Sequence, residues 1–306
     1  MQIYKNLCIL APCLASFLYI CSVKHQKIPT LNLGGRLFPL DRPKVMGILN
    51  ATPDSFFAAS RTFAAASEEE RLEALRRRVR QMADEGADII DVGACSTRPG
   101  FAPPSAEEEM QRLRLAIRVC REEAPALPLS IDTFRADVAR FAVEECGAHI
   151  INDISGGQLD RQMLPTVVRL RVPYVLTHWQ QEPRYDNVLH DVVLALARQA
   201  QKLQEAGLAD IIIDPGFGFG KSLADNYALL RRLDVFRALS HPILVGLSRK
   251  SMVYKPLGAT PDTVLSATSA LHLQALTHGA QILRVHDVKA AADVITISQQ
   301  LTDNQQ

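Results

Sequence analysis

Side chains capable of chemistry recur at one kind of place in this sequence, directly after short β-branched runs. Asn50 follows Val45–Leu49, and Asp91-Val92-Gly93 with Ser96-Thr97-Arg98-Pro99-Gly100 closes the next run. Asp132 ends the third, Asn152-Asp153 the fourth and His178 the fifth. Asp214 ends the sixth, Ser248-Arg249-Lys250-Ser251 the seventh, and Arg284-Val285-His286-Asp287 the eighth. A single Asp in such a place is commonly a helix N-cap or one arm of a loop ion pair. Polar endings on all eight runs describe a site. Asp132, Asn152, Asp214 and Lys250 offer acceptors, an amide and a cation, which suit a flat heterocycle with N–H and C=O groups on its edge. Arg98, Arg284, His286 and Asn50 offer positive charge and a hard oxygen, which suit a diphosphate with a divalent cation. The chemistry read from these residues is displacement of diphosphate from a planar ring substrate.

The elements that must position them alternate regularly. Strands are expected at Val45–Leu49, Asp88–Val92, Leu129–Ile131, His149–Ile151, Tyr174–Thr177, Ile211–Ile213, Ile243–Gly246 and Ile282–Val285. Helices are expected at Glu68–Ala83, Ala106–Glu123, Ala136–Glu145, Arg161–Leu170, Val188–Glu205, Leu223–Leu233, Thr263–Thr277 and Ala290–Gln300. In the first helix Leu72, Leu75, Val79 and Met82 recur on one face against Arg and Glu on the other. Ser67 with Glu70, and Ser105 with Glu108, have capping-box spacing, while Gly86, Gly147, Gly207 and Gly279 each close a helix before the next strand. Repeated strand–helix units over about 260 residues predict an α/β fold, a single (β/α)8 TIM barrel with all these strand ends on one rim. The turn after the first strand, Asn50-Ala51-Thr52-Pro53-Asp54, lacks the glycines of a dinucleotide fingerprint, which argues against an open sheet. Leu31–Leu40, with Gly34-Gly35 between apolar arms, reads as an N-terminal β-hairpin able to plug the barrel floor.

Composition narrows the function further. The 306 residues carry 34 Lys and Arg against 33 Asp and Glu, a net charge of +1 that argues against a nucleic-acid binder relying on a broad basic field. No Cys pair or Cys/His cluster has zinc spacing, and the cysteines read as free thiols of a cytoplasmic protein. Leu7–Val23 is an uncharged apolar stretch with Pro12 inside, about 17 residues long, marginal for a membrane span and without a small-residue cleavage site after it. An export signal, an ordered appendage and an extension without a folded role all fit it; the last is preferred. The expected organisation is therefore residues 1–30 as an apolar extension outside the fold, 31–300 as the barrel, and 301–306 as a tail.

Pro215-Gly216-Phe217-Gly218-Phe219-Gly220-Lys221-Ser222 follows a strand and nearly matches a phosphate-binding P-loop. Pro215 stands where that loop needs Gly, so the expected role of the glycines is close approach of backbone to ligand, with Lys221 at the rim. His149, His190, His241, His272 and His278 have no metal-ligand spacing and read as structural.

At these motifs the chain resembles dihydropteroate synthases over essentially all of Leu31–Gln300. The matching stretches are Met46–Phe56, Gly86–Gly93, Ser96–Gly100, Ser130–Thr133, Ile151–Ile154, Asp214–Lys221, Gly246–Ser251 and Arg284–Asp287, in the family's order. The resemblance implies condensation of 6-hydroxymethyl-7,8-dihydropterin diphosphate with 4-aminobenzoate in folate biosynthesis. It implies Asp132, Asn152, Asp214 and Lys250 as pterin ligands with Arg284 on the ring face, and Asn50 as the ligand of Mg2+. Asn50, Thr97, Arg98, Arg284 and His286 would meet the diphosphate. Phe56, Thr97, Pro99, Phe219 and Ser251 would line the aminobenzoate pocket, where sulfonamides bind in this family. Asp132, Lys250 and Arg98 would carry catalysis, Thr97–Pro99 and Thr52–Phe56 would belong to mobile loops, and the protein would form a homodimer.

Three departures touch those roles. Phe57-Ala58-Ala59-Ser60-Arg61 replaces the family's Ser-Asp-Gly-Gly continuation, Cys95 stands where Glu is usual, and Thr177-His178-Trp179-Gln180-Gln181 replaces Met-His-Met-x-Gly. Trp179 reads as a packing residue. Two other functions share the pterin half of the site: a barrel passing a methyl group from a folate to a corrinoid, and a non-catalytic pterin-binding paralogue. The Ser96–Gly100 run and the Arg284/His286 pair favour the synthase.

Overall fold

The computed structural model of the protein describes residues 28–51, 67–95 and 103–303. A hairpin of β1 (Thr30–Leu33) and β2 (Arg36–Pro39) comes first, one residue earlier than the expected boundary. Eight parallel strands follow: β3 (Lys44–Asn50), β4 (Ile89–Gly93), β5 (Leu129–Asp132), β6 (Ile150–Asp153), β7 (Tyr174–Thr177), β8 (Ile211–Asp214), β9 (Leu244–Val245) and β10 (Ile282–Val285). Their order is β8-β7-β6-β5-β4-β3-β10-β9. A parallel bridge between Ile213 and Ile243 joins the two ends and closes the barrel.

Helices alternate with the strands as the sequence periodicity predicts: α1 (Glu68–Asp84), α2 (Ala106–Glu123), α3 (Ala136–Glu144), α4 (Met163–Leu170), α5 (Val188–Glu205), α6 (Leu223–Arg231), α7 (Ser251–Tyr254), α8 (Leu265–Thr277) and α9 (Val288–Asp303). Both expected capping boxes form, and Ser222 with Asp225 makes a third at the start of α6. Beyond shifts of one or two residues at element ends, three details differ from expectation. The helix expected through Leu233 ends at Arg231 and gives way to a 3-10 stretch over Leu233–Leu239. The single-turn α7 has no counterpart in the sequence pattern, being too short to show a period. The last helix runs to Asp303, so residues 301–303 continue it where a tail was expected.

The core has two parts, because a strand buried on both faces sends alternate side chains to different partners. Outward residues such as Val45, Ile90, Ile131, Ile151, Leu176, Ile213 and Leu283 pack under the helices with Leu75, Leu113, Phe141 and Leu196. Inward residues Met46, Ile89, Ile150, Val175, Ile212, Leu244 and Ile282 form an apolar floor that Leu31, Leu33 and Leu40 of the hairpin region cover. The hairpin plugs the N-terminal end of the barrel. Among the described residues no helix is long and apolar enough to cross a membrane; Leu7–Val23 lies outside them.

Candidate active site

The period of two that builds the floor also builds the site. Two residues beyond the floor position, each inward side chain on five strands is polar: Asp91 on β4, Asn152 on β6, Thr177 on β7, Asp214 on β8 and Arg284 on β10. Asp132 joins them from the end of β5, where it pairs in register with Asn152. All lie at the C-terminal rim, the face where barrel enzymes hold their sites.

Arg284 is the hub. Its Nε donates to Asp91 Oδ2 at 2.6 Å, and its Nη2 to Asp132 Oδ2 at 2.5 Å. Burial alone lowers its pKa, but Asp91 and Asp132 outweigh that and hold the guanidinium firmly charged. Asp91, fully buried, also accepts from Asn152 Nδ2 at 3.0 Å, which turns the Asn152 carbonyl oxygen away from the carboxylate. Burial pushes Asp132 up to about 7 despite Arg284, with Asp91 adding to the rise. Desolvation likewise raises Asp214, opposed by Lys250. Burial lowers Lys250 to about 8 even though Asp214 favours its charge. Asp91, Asp132 and Asp214 thus surround Arg284 and Lys250, acceptors and donors in alternation, which suits a ring with hydrogen-bonding groups on its edge.

Lys250 reaches this centre because Arg249 before it takes the left-handed conformation, φ 59°, unusual for a side chain of its size and frequent at functional turns. Arg249 is held there by Asp287 at 2.9 Å. Lys250 Nζ donates to Phe217 O at 2.5 Å and lies 4.6 Å from the centre of the Phe219 ring. Ser251 opens α7 immediately after it, so Phe219, Lys250 and Ser251 meet at one rim. His286 was expected to add positive charge. Burial first, then Arg249 and Arg284, lower it to about 4, so it stands neutral, with Nδ1 3.1 Å from Ser248 Oγ.

The glycine-rich stretch is built against phosphate. Gly216 N donates to Asp214 Oδ1 at 2.8 Å and Gly218 N to Asn226 Oδ1 at 2.7 Å, so these amides already have partners. A Cβ on Gly216 would fall 2.1 Å from His178 O, which is why only glycine fits. Lys221 is buried rather than presented at the rim; its amine donates to Gly216 O at 2.8 Å, with His178 O at 3.3 Å, and burial lowers it to about 7. Its work is to hold this turn beside Asp214.

Asn50, at the end of β3, faces the same opening. Its Oδ1 lies 3.9 Å, and Asp132 Oδ2 3.7 Å, from where a Cβ on Gly93 would sit. Absence of that Cβ leaves a cradle edged by hard oxygens, which fits a hard divalent cation taking its other ligands from water and phosphate. No group of three or more His, Cys, Asp or Glu suited to a metal occurs among the described residues.

Phe56, Thr97, Arg98 and Pro99 lie outside the described residues. Asp91, which the strand-end pattern alone gives no role, joins Arg284 to Asn152. Its signal was available: it sits two residues beyond Ile89, as Asn152 follows Ile150 and Asp214 follows Ile212.

A closed parallel barrel with a buried carboxylate–guanidinium cluster and a lysine at its C-terminal rim defines a barrel enzyme for a flat, hydrogen-bonding ring. The family model described as pterin binding enzyme matches residues 46–286. The dihydropteroate synthase of Streptococcus pyogenes serotype M3 is 42% identical over 262 residues, covering 84% of this chain and 95% of that one. Two solved structures of the Xanthomonas albilineans dihydropteroate synthase superpose well. The one with 4-aminobenzoic acid has a TM-score of 0.82 at 40% identity, covering 90% of this chain and 98% of that one. The one with 7,8-dihydropteroate has a TM-score of 0.79 at 39% identity, covering 89% and 98%. The chain belongs to the pterin binding enzymes, and among them to the dihydropteroate synthase family.

Proposed function

We propose that this protein is a transferase that condenses 6-hydroxymethyl-7,8-dihydropterin diphosphate with 4-aminobenzoate, giving 7,8-dihydropteroate and diphosphate. The observation that carries this reading is the Asp91–Arg284–Asp132 cluster beside Asp214 and Lys250, in a chain whose relatives are named for this activity.

Each residue then has a task. Asp214 and the Asn152 carbonyl accept hydrogen bonds from the donor edge of the ring, and Lys250 donates to its acceptors. Arg284 lies across the ring face and, with Arg98, meets the diphosphate. Neutral His286 contributes a hydrogen bond rather than a charge. Asn50 would hold Mg2+, which when bound would neutralise charge on the leaving diphosphate. As the bond between the exocyclic methylene and oxygen breaks, its electron pair leaves with the diphosphate and positive charge grows on the pterin. Asp132 stabilises that charge by Coulomb attraction. The aminobenzoate nitrogen, stacked near Phe219 and Ser251 with Phe56, Thr97 and Pro99, attacks the methylene and loses a proton to solvent. No covalent bond to the enzyme is required.

The exposed side of α8 and α9 supports a homodimer. Leu265, Leu273, Val294 and Ile297 line an open apolar groove there, and Leu265 and Ile297 are about half exposed. Grooves of this kind on a folded surface favour a second protein face.

The test is direct. Purified protein with both substrates and Mg2+ should release diphosphate and form dihydropteroate. Lys250→Ala or Arg98→Ala should each lower turnover by about a hundredfold or more, as for loss of a charge-stabilising donor. Near-normal turnover in either variant would overturn these roles, and pterin diphosphate binding without any release would instead make the protein a non-catalytic paralogue.

A further inference from the structure

One fully buried carboxylate lies outside the site and has no part in the chemistry above. Glu109, in the first turn of α2, has no exposed surface. Thr133 Oγ1 donates to its Oε1 at 2.7 Å, and Arg135 Nη1 pairs with its Oε2. Arg135 Nη2 donates onward to Pro104 O at 2.8 Å. One helical turn beyond Glu109, Arg112 Nη1 donates to Ala94 O at 3.2 Å. Thr133 directly follows Asp132, and its N–H donates to Asn152 O at 3.0 Å.

These bonds tie together three places beside the candidate site. One is the exit of β5, which carries Asp132. The second is the end of β4 at Ala94, and the third is Pro104, where the chain rejoins α2 after residues 96–102. A buried ion pair costs desolvation, and an apolar pair of similar volume would serve stability as well or better. What an apolar pair lacks is direction: a carboxylate with two named donors sets the approach of the segments that supply them.

We propose that Glu109 is a positioning residue for the condensation, holding Asp132 and the chain around Pro104 in fixed relation through Thr133 and Arg135. This inference rests on the synthase reading above. Steady-state kinetics on Glu109→Gln, Arg135→Met, the double variant, Thr133→Val and Arg135→Lys test it, with thermal unfolding measured in parallel. Glu109→Gln and Arg135→Met should each lower kcat about tenfold or more, since small displacements of reacting groups are costly. KM for the pterin diphosphate should stay within about threefold, separating loss of positioning from loss of binding. The double variant should be no slower than the slower single, as for residues acting through one contact. Thr133→Val and Arg135→Lys, which each keep part of the bracket, should fall between wild type and Glu109→Gln. Turnover of Glu109→Gln within about twofold of wild type, strictly multiplicative losses in the double variant, or losses that match the unfolded fraction would each overturn the proposal. Absence of turnover in the wild-type protein would overturn the synthase reading itself.

Discussion

Asp132 and Lys250 face each other across the ring site with protonation equilibria moved toward neutrality from opposite sides. Burial raises Asp132 to about 7 and lowers Lys250 to about 8. The proposed roles need Asp132 anionic and Lys250 protonated, so activity should fall as pH drops through the first value and again as it rises through the second. kcat/KM for the pterin diphosphate should therefore follow a narrow bell whose limbs belong to the coupled cluster, not to isolated residues. Lys250→Arg, if it retains measurable turnover, should lose the alkaline limb because a guanidinium stays charged. A flat profile between about pH 6 and 9 would remove Asp132 and Lys250 from the roles given them. Asp91 belongs beside them. Fully buried, it accepts from both Arg284 and Asn152 and so fixes how these two side chains are turned; its position two residues beyond Ile89 marks it as inward, but not which partners it meets.

At the scale of elements, the barrel is held by local signals that agree with one another. Ser67 and Ser105 start their helices with both bonds of a capping box. Gly86, Gly147, Gly207 and Gly279 leave theirs at positive φ, where a side chain would be strained. The hairpin is different, because its stability comes from the floor it covers rather than from its own four-residue strands. Leu31 is 1% exposed and packs with the floor residues of the barrel. Leu31→Ala should lower unfolding stability by about 2–4 kcal/mol, the cost of a large-to-small change in a well-packed interior. Chemical denaturation would measure it. A change below about 0.5 kcal/mol, the range of ordinary surface substitutions, would mean that the hairpin adds nothing to the fold.

At the scale of the whole molecule, the α8/α9 groove sits on the helical flank while the candidate site opens at the C-terminal rim, so a change in the groove should leave that site untouched. Ile297→Arg should convert the proposed dimer to monomer in light scattering behind size exclusion, because an unpaired charge at the centre of an apolar interface is costly. A wild-type protein already monomeric at micromolar concentration would dispose of this interface. What the sequence determined by itself is the repeat: strands read from β-branched runs, helices from period and caps, and a rim of polar strand ends that marks a candidate site. Asp132, Asn152, Asp214, Lys250 and Arg284 were legible because a chemically costly residue at the end of an apolar strand needs a reason to be there. Only the tertiary structure decided which of them touch. Asp91 lies 193 positions from Arg284, and Glu109 is 26 from Arg135. His286 became neutral, and Lys221 turned inward onto backbone carbonyls, through burial created by segments remote in the chain. Spacing along a strand carries the direction of a side chain, whereas its partner and its charge depend on what the closed barrel brings alongside it and on how much water it excludes.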